Sequence, residues 1–389
     1  MRVVVAGDYP EEPPNLVGGI QAVVYNTLLH LGRYDDLDLH VVTCEKGHRQ
    51  RPAQPVVEHG PWTVHYLPSS PRLPHTLTML TLDRWAVRRK IEVLAPDLVH
   101  AHGQAAAYPF AAFDSGCPTL VTVHGINMLE AQVDRRGSAL KGGLRVALWG
   151  YAERRCLQRA TDITVISPFV RDVIAPYTRA RLYDVENPVH DDLFDLEPAP
   201  QPSQVLMVGS IQKRKGTLQA MQAMALVRQQ VPGAQLYLAG GFLPSYAAYG
   251  QEVHRWVAEN DASSYVHFLG SLEHGALMEA YRSAQVFLLP SHLEASSVAV
   301  AEAMAAGLPS VVGDIGGTAH LVEHGVTGYR APVGDVPALA RHLVALLQDE
   351  ALCRRMGQRA RAFAREHCSG RVTARKLHDL YLSLGSAAP

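Results

Sequence analysis

The sequence predicts an α/β fold of two Rossmann-like domains, each built on a parallel sheet. Three observations carry this. The 389 residues are more than one hydrophobic core usually supports, which points to two domains of about 190 residues each. Short β-branched runs alternate with longer helical patterns throughout, as βαβ units require. The pattern breaks once, at Leu196–Gln204 (LEPAPQPSQ), and then restarts. Three prolines in so short a polar run cannot sit in a central strand or a helix interior, so this run is expected to be the interdomain linker.

In the first half the strand candidates are Val3–Ala6, Leu39–Thr43, Thr63–Leu67, Leu98–Ala101, Thr119–Val123 and Ile163–Ile166. Between the first two, Ile20, Val23, Val24, Thr27, Leu28 and Leu31 share one face at helical spacing. After the proline run come Gln204–Val208, Gln235–Ala239, Val266–Leu269, Val286–Leu289 and Pro309–Val312. Residues 1–196 and 204–368 are thus read as the two domains. The tail, 369–389, is expected to be helical over Ser369–Leu384 and to pack back toward the first domain. Two such sheets facing a cleft would bind ligands beyond the carboxyl ends of their strands.

Composition excludes several classes. Lys plus Arg number 36 against 37 for Asp plus Glu, which gives no global pull toward nucleic acid. Cys44, Cys117, Cys156, Cys353 and Cys368 are odd in number and form no CxxC, so neither a disulfide framework nor a zinc site is suggested. The opening MRVVVAGDYPEEPP lacks the apolar core of a signal peptide, and no run reaches the ~18 apolar residues of a membrane span. A cytoplasmic protein, at most peripheral to a membrane, is expected.

Chemistry is expected in the loops that follow strands. In PSHLEASSVAVAEAMAAGLPSVV (Pro290–Val312) a strand ends, a polar loop carries Glu294, and a helix begins near Val298. Glu294 and Glu302 lie eight residues apart, at most ~12 Å along a helix axis. Between them the amides of Ser296, Ser297 and Val298 sit at a helix start, where unpaired N–H groups and the dipole favour an anion. Most glutamates are solvated, yet Glu302 lies among Ala, Val and Met and needs a specific partner. In VLMVGSIQKRKGTLQAMQAM (Val205–Met224), Arg214 and Lys215 precede Gly216 and a helix, a placement suited to a diphosphate. Taken alone, KRKG reads as a solvated basic turn. Gly18 and Gly19 open the first helix, where a bare backbone lets a ligand approach closely.

The pattern E-x7-E, AMAAGLP and then GDIGG resembles the nucleotide-sugar signature of family 4 glycosyltransferases, retaining enzymes of the GT-B fold. It continues through HLVEHGVTGYRAPVGDVPALARHL (His320–Leu343), with His320 where the family usually has Glu. Ala295, Ser296 and Ser297 replace a glycine-containing stretch, and Ser210 stands where an Arg is usual, with Arg214 as the compensating cation. The resemblance implies transfer of a sugar from a nucleotide-diphosphate donor, with a UDP-sugar favoured and GDP- or ADP-sugars open, to an unidentified acceptor hydroxyl, with retention and without a required metal or cofactor. It implies that Glu294 holds sugar hydroxyls, that Glu302 accepts from the ribose, and that Lys215, Arg214, Ser210 and the Gly18–Gly19 backbone serve the diphosphate. His124 would contact the transferred sugar and His102 would face the acceptor. The loop Gly270-Ser271-Leu272 is the candidate for base contact, through Ser271 and Leu272. His100-x-His102 alone is poor support for a metal, and Asp36-Leu37-Asp38 reads as a solvated turn.

The basic segments 84–90 and 134–159 read as exposed helix faces or as a contact for anionic lipid. An epimerase or phosphorylase of the same architecture and a non-catalytic sugar-binding protein are the competing readings. An NAD-linked enzyme is disfavoured, because neither half carries GxGxxG with a suitably spaced acid.

Overall fold

The computed structural model describes residues 1–11, 13, 16, 18–44, 55–68, 81–104, 107–130 and 143–386. The chain forms two compact units, one of residues 1–188 with 370–389 and one of residues 189–369.

The first unit holds an eight-stranded sheet of β1 (Arg2–Ala6), β2 (Asp38–Cys44), β3 (Val56–His59), β4 (Trp62–Leu67), β5 (Leu98–His102), β6 (Thr119–Val123), β7 (Asp162–Val165) and β8 (Arg181–Asp184). Their spatial order is β3-β4-β2-β1-β5-β6-β7-β8. Every pairing is parallel except β3 with β4. Val3, Val4, Leu98, Val99, Leu120, Val121 and Ile163 are all buried, which is why the central strands read as unbroken apolar runs. The helix Gly19–Leu31 buries the expected Val23, Val24, Thr27, Leu28 and Leu31, and also Asn26 and His30.

The second unit holds a six-stranded, all-parallel sheet: β9 (Gln204–Val208), β10 (Gln235–Ala239), β11 (Val266–Gly270), β12 (Val286–Leu289), β13 (Ser310–Gly313) and β14 (Gly328–Ala331). The order β11-β10-β9-β12-β13-β14 is the doubly wound one, with the chain reversing direction across the sheet between β9 and β12. A crevice beyond the carboxyl ends of those two strands is where such a sheet holds a ligand.

One boundary differs from the sequence reading. The chain passes between units at Pro188–Val189 and returns at Ser369–Gly370, so the proline run Leu196–Gln204 lies inside the second unit. It is fastened there. The Ala199 and Gln201 amides donate to the Arg282 and Ser283 carbonyls (3.0 and 2.8 Å), and Arg361 donates to the Leu196 carbonyl. Proline excludes helix and central strand but does not exclude an ordered strap. The last helix, Gly370–Gly385, belongs to the first unit. There Tyr381 shares a hydrogen bond with His100 (2.6 Å), Lys376 pairs with Glu186, and His378 meets Asp36 and stacks on Tyr34.

Candidate functional site

In the second unit the loops after β9 and β12 meet at the reversal point. After β9, Lys213–Lys215 make one 3-10 turn that ends at Gly216 with φ +74°. A Cβ at Gly216 would lie 2.2 Å from the Pro290 carbonyl oxygen, so this position needs glycine for both its conformation and its contact. The two loops are stitched further: His292 N donates to the Arg214 carbonyl (2.7 Å), and the Arg214 guanidinium donates to the Leu293 carbonyl (3.2 Å).

This junction brings together Glu294, Lys215 and Arg214. Lys215 Nζ stands 2.7 Å from Glu294 Oε1, Ser291 Oγ donates to the same oxygen (2.8 Å), and Arg214 Nη1 lies 3.7 Å from Oε2. Glu294 is buried. Burial pushes its pKa up, but the Lys215 and Arg214 charges and the hydrogen bonds from Lys215 and Ser291 outweigh that, and the carboxyl is held below its ordinary range. Its carbonyl accepts from the Gly317 amide (2.9 Å), which ties the GDIGG turn to the same loop. Ser210 lies at the end of β9, where its Oγ accepts from the Gln212 amide (2.9 Å).

Downstream, the helix Val298–Ala305 starts where expected. Ser297 is its N-cap, and the hydroxyl accepts from Val300 N (3.4 Å), leaving the first amides of the helix for an anion. Glu302 faces back along this helix to Tyr281, whose hydroxyl donates to Oε2 (2.8 Å). Burial pushes the Glu302 pKa up to about 7, only partly offset by that hydrogen bond. Tyr281 is fully buried and holds its proton firmly, so it is a fixed donor. The candidate base-contact loop is at the end of β11: the Gly270 carbonyl accepts from Gly240 N (2.7 Å), Ser271 is exposed beside Gly241, and Leu272 is half-buried. His320 is exposed on the short helix Thr318–Leu321.

In the first unit, Gly18 (φ +97°) and Gly19 are exposed at the start of the helix Gly19–Leu31. His102 ends β5 and His124 follows β6. His102 Nδ1 and His124 Nε2 are 2.8 Å apart, and the rings stack with centroids 5.1 Å apart. His102 is buried, with a centroid distance of 4.3 Å to His100. His100 is locked between Tyr381 and Thr122, at 2.6 Å to each. Burial pushes all three imidazoles down, His100 to about 3 and His124 to about 4, so the cluster is neutral at ordinary pH. His102 is held to His124 by that contact, and of the two His124 is the more exposed.

The basic segments fare differently. Arg84 and Arg159 both pair with Asp114, and Arg88 pairs with Glu92, so part of that charge is neutralised within the unit. Residues 134–142 lie outside the described residues. Asp36 and Asp38 pair with His378 and Arg2, consistent with a polar turn. None of the five cysteines forms a disulfide, and among the described residues no helix is long and apolar enough to cross a membrane.

Sequence reasoning missed Tyr281 and Ser291. Tyr281 is 21 residues from Glu302, and only the need of an acid in an apolar helix hinted at such a donor. It missed Glu153 too, a buried acid in a helix read as basic. Glu153 accepts from the Gln104 amide and the Asn127 and Met128 backbone (2.8, 2.9 and 3.2 Å), and so shapes the loop after His124.

The two doubly wound units have the GT-B fold, and the family matches make the chain a glycosyltransferase. Residues 17–193 match the family model described as Glycosyltransferase Family 4, and residues 190–363 match that described as Glycosyl transferases group 1. The chain belongs to glycosyltransferase family 4. It is 27% identical over 298 residues to a glycogen synthase of Mycobacterium tuberculosis, covering 74% of this chain and 69% of that one. Among solved structures it resembles a sucrose-phosphate synthase from Thermosynechococcus elongatus, with a TM-score of 0.84, 22% identity and full coverage of both chains. It also resembles Anabaena HepE in complex with UDP-glucose, with a TM-score of 0.74 and 18% identity over 98% of this chain and 100% of that one.

Proposed function

We propose that this glycosyltransferase moves a hexosyl group from a nucleotide-diphosphate sugar, a UDP-sugar in the first instance, to an acceptor hydroxyl with retention of anomeric configuration. The observation that carries the reading is the Lys215–Glu294–Arg214 cluster at the β9/β12 reversal point, followed by a capped helix start and, about one turn along the same helix, by Glu302 on Tyr281. Lys215, Arg214 and the amides near Val298 stabilise the charge that grows on the leaving diphosphate. This is the positive charge that a metal supplies elsewhere, so the transfer needs none. Glu294 and Ser291 orient sugar hydroxyls, Glu302 accepts from the ribose diol, and Ser271 and Leu272 present backbone to the base. Gly18 and Gly19 add amides to the phosphate. His124, neutral and steadied by His102, donates or accepts at a sugar hydroxyl.

The bond from the anomeric carbon to the phosphate oxygen breaks as the acceptor oxygen bonds to the same face of that carbon. The acceptor proton passes to the departing phosphate. The UDP-glucose bound by HepE and the five cysteines of this chain outside any disulfide, which suit a reducing cytoplasm, support the reading.

Thermal-shift screening with UDP-, GDP- and ADP-sugars tests it, because a ligand of the folded state raises Tm. A UDP-sugar is expected to give the largest rise and to be turned over only with an acceptor. Conversion of the sugar with donor alone would identify an epimerase, and a strict need for inorganic phosphate a phosphorylase. No shift with any nucleotide sugar would refute the reading.

A further inference from the structure

Away from the cluster at the reversal point, a second group of polar side chains has no role in the transfer. Immediately after the chain enters the second unit, His190 and Asp192 flank the start of the short helix Asp192–Asp195, whose Leu193 and Phe194 are buried in the core. His274 is the first residue of the helix His274–Ser283. Asp192 Oδ2 lies 3.4 Å from His190 Nδ1 and 3.3 Å from His274 Nε2. The imidazole centroids are 4.7 Å apart at an interplanar angle of 61°. One ligand atom from each residue falls within 4.8 Å of the other two.

The two imidazole–carboxylate distances fit a metal, with the Asp192 amide that donates to His190 Nδ1 (3.3 Å) giving way to the ion. With Zn–N and Zn–O bonds near 2.0–2.2 Å, tetrahedral ligand atoms stand about 3.3–3.5 Å apart. Two imidazoles and one carboxylate suit zinc, and the chemically similar cobalt and nickel, and not magnesium or calcium, which prefer all-oxygen shells. Both histidines are about one-fifth exposed and Asp192 is 60% exposed, so an ion can enter from solvent and water can complete its shell. Both supports are rigid, since each helix is anchored by core residues: Leu193 and Phe194 on one, Ala280 and Tyr281 on the other.

We propose that His190, Asp192 and His274 form a binding site for a zinc-class divalent cation, a clamp that joins the entry segment of the second unit to the helix His274–Ser283. Tyr281 lies seven residues further along that helix, about 10 Å and two turns away, so the clamp braces the element that presents Tyr281 to Glu302.

The full chain is titrated with zinc chloride against a chromophoric zinc indicator, and its melting is followed with and without the metal. Expected are one zinc equivalent of micromolar or tighter affinity, no competition by magnesium, and a higher Tm with zinc. His190→Ala and His274→Ala should each weaken that equivalent at least ~10-fold, since each removes one of only three protein ligands, and should abolish the shift in Tm. Because 19 histidines offer adventitious sites, only the equivalent that these variants lose counts. Should either variant fold poorly, Asp192→Asn keeps the shape and removes the carboxylate charge, with the same loss expected. Binding and melting unchanged across all three variants, or zinc that leaves the wild-type Tm unmoved, would overturn the site.

Discussion

Glu302→Gln should make the protein more stable above neutral pH while weakening its hold on nucleotide. Burial raises the Glu302 pKa to about 7 in the folded chain from an ordinary 4.5. A carboxyl whose folded pKa is raised carries no penalty while both states are protonated, below about pH 4.5. Stability is then lost as pH climbs from there through 7, because the folded state must give up a proton that it holds more tightly than the unfolded one. A shift of this size corresponds to about 3 kcal/mol at pH 8, at roughly 1.4 kcal/mol per unit. Gln removes the charge and keeps an acceptor for the Tyr281 hydroxyl. Its new N–H group, if unmatched, costs about 1 kcal/mol, which leaves a net gain of about 2 kcal/mol. Urea denaturation of both proteins at pH 5 and pH 8 measures this. The variant should match or slightly trail the wild type at pH 5 and exceed it at pH 8. Equal stability at pH 8 would refute the argument that burial of this acid works against the fold. The same linkage predicts that UDP affinity of the wild type falls by up to tenfold for each pH unit below about 7, since a ribose diol is best met by the ionised carboxylate. Calorimetric titration across that range checks it.

Lys215→Ala should slow nucleoside-diphosphate release from the donor about 10²- to 10³-fold, the usual loss when one group stabilising transition-state charge is removed. A turnover within threefold of the wild type would show that the Glu294 pairing is structural only. Gly216→Ala should destabilise the second unit by at least ~2 kcal/mol, because φ +74° and a Cβ 2.2 Å from the Pro290 oxygen both oppose it; a chemical melt displaced by less than 0.5 kcal/mol, about the scatter of neutral surface changes, argues against the fit. Tyr381→Phe leaves His100 Nδ1 buried without its partner and should cost about 1–3 kcal/mol of stability, read from urea midpoints. His124 should show no titration near its ordinary value in NMR spectra, since burial lowers it to about 4; a midpoint near 6.5 would contradict its neutral role.

What the sequence made legible follows from burial. β1, β5, β6, β9 and β12 are covered on both faces, so they advertise themselves as apolar runs with nearly correct ends. The strands it did not reveal lie at the sheet edges. β8 is Arg-Leu-Tyr-Asp and β14 is Gly-Tyr-Arg-Ala, and neither alternation nor apolar content marks such short edge segments. In the candidate site, Glu294, Glu302, Arg214 and Lys215 could be singled out because each follows a strand or sits in a helix at a spacing with chemical meaning. Tyr281 and Ser291 were not, since nothing local distinguishes a tyrosine aimed at an acid from one filling a core. His102 was singled out for its place at a strand end, and nothing local announces that it is buried between His100 and His124.

The fusion of the two loops at Gly216 and Pro290 bears on any attempt to change which sugar is accepted. The turn 213–216 and the segment 290–294 share hydrogen bonds to backbone carbonyls and a contact too close for any side chain, so neither can be exchanged alone. A segment grafted from a relative with another sugar preference must bring its own partner turn with it, and chimaeras cut between them should assemble poorly whatever their residues at the sugar itself.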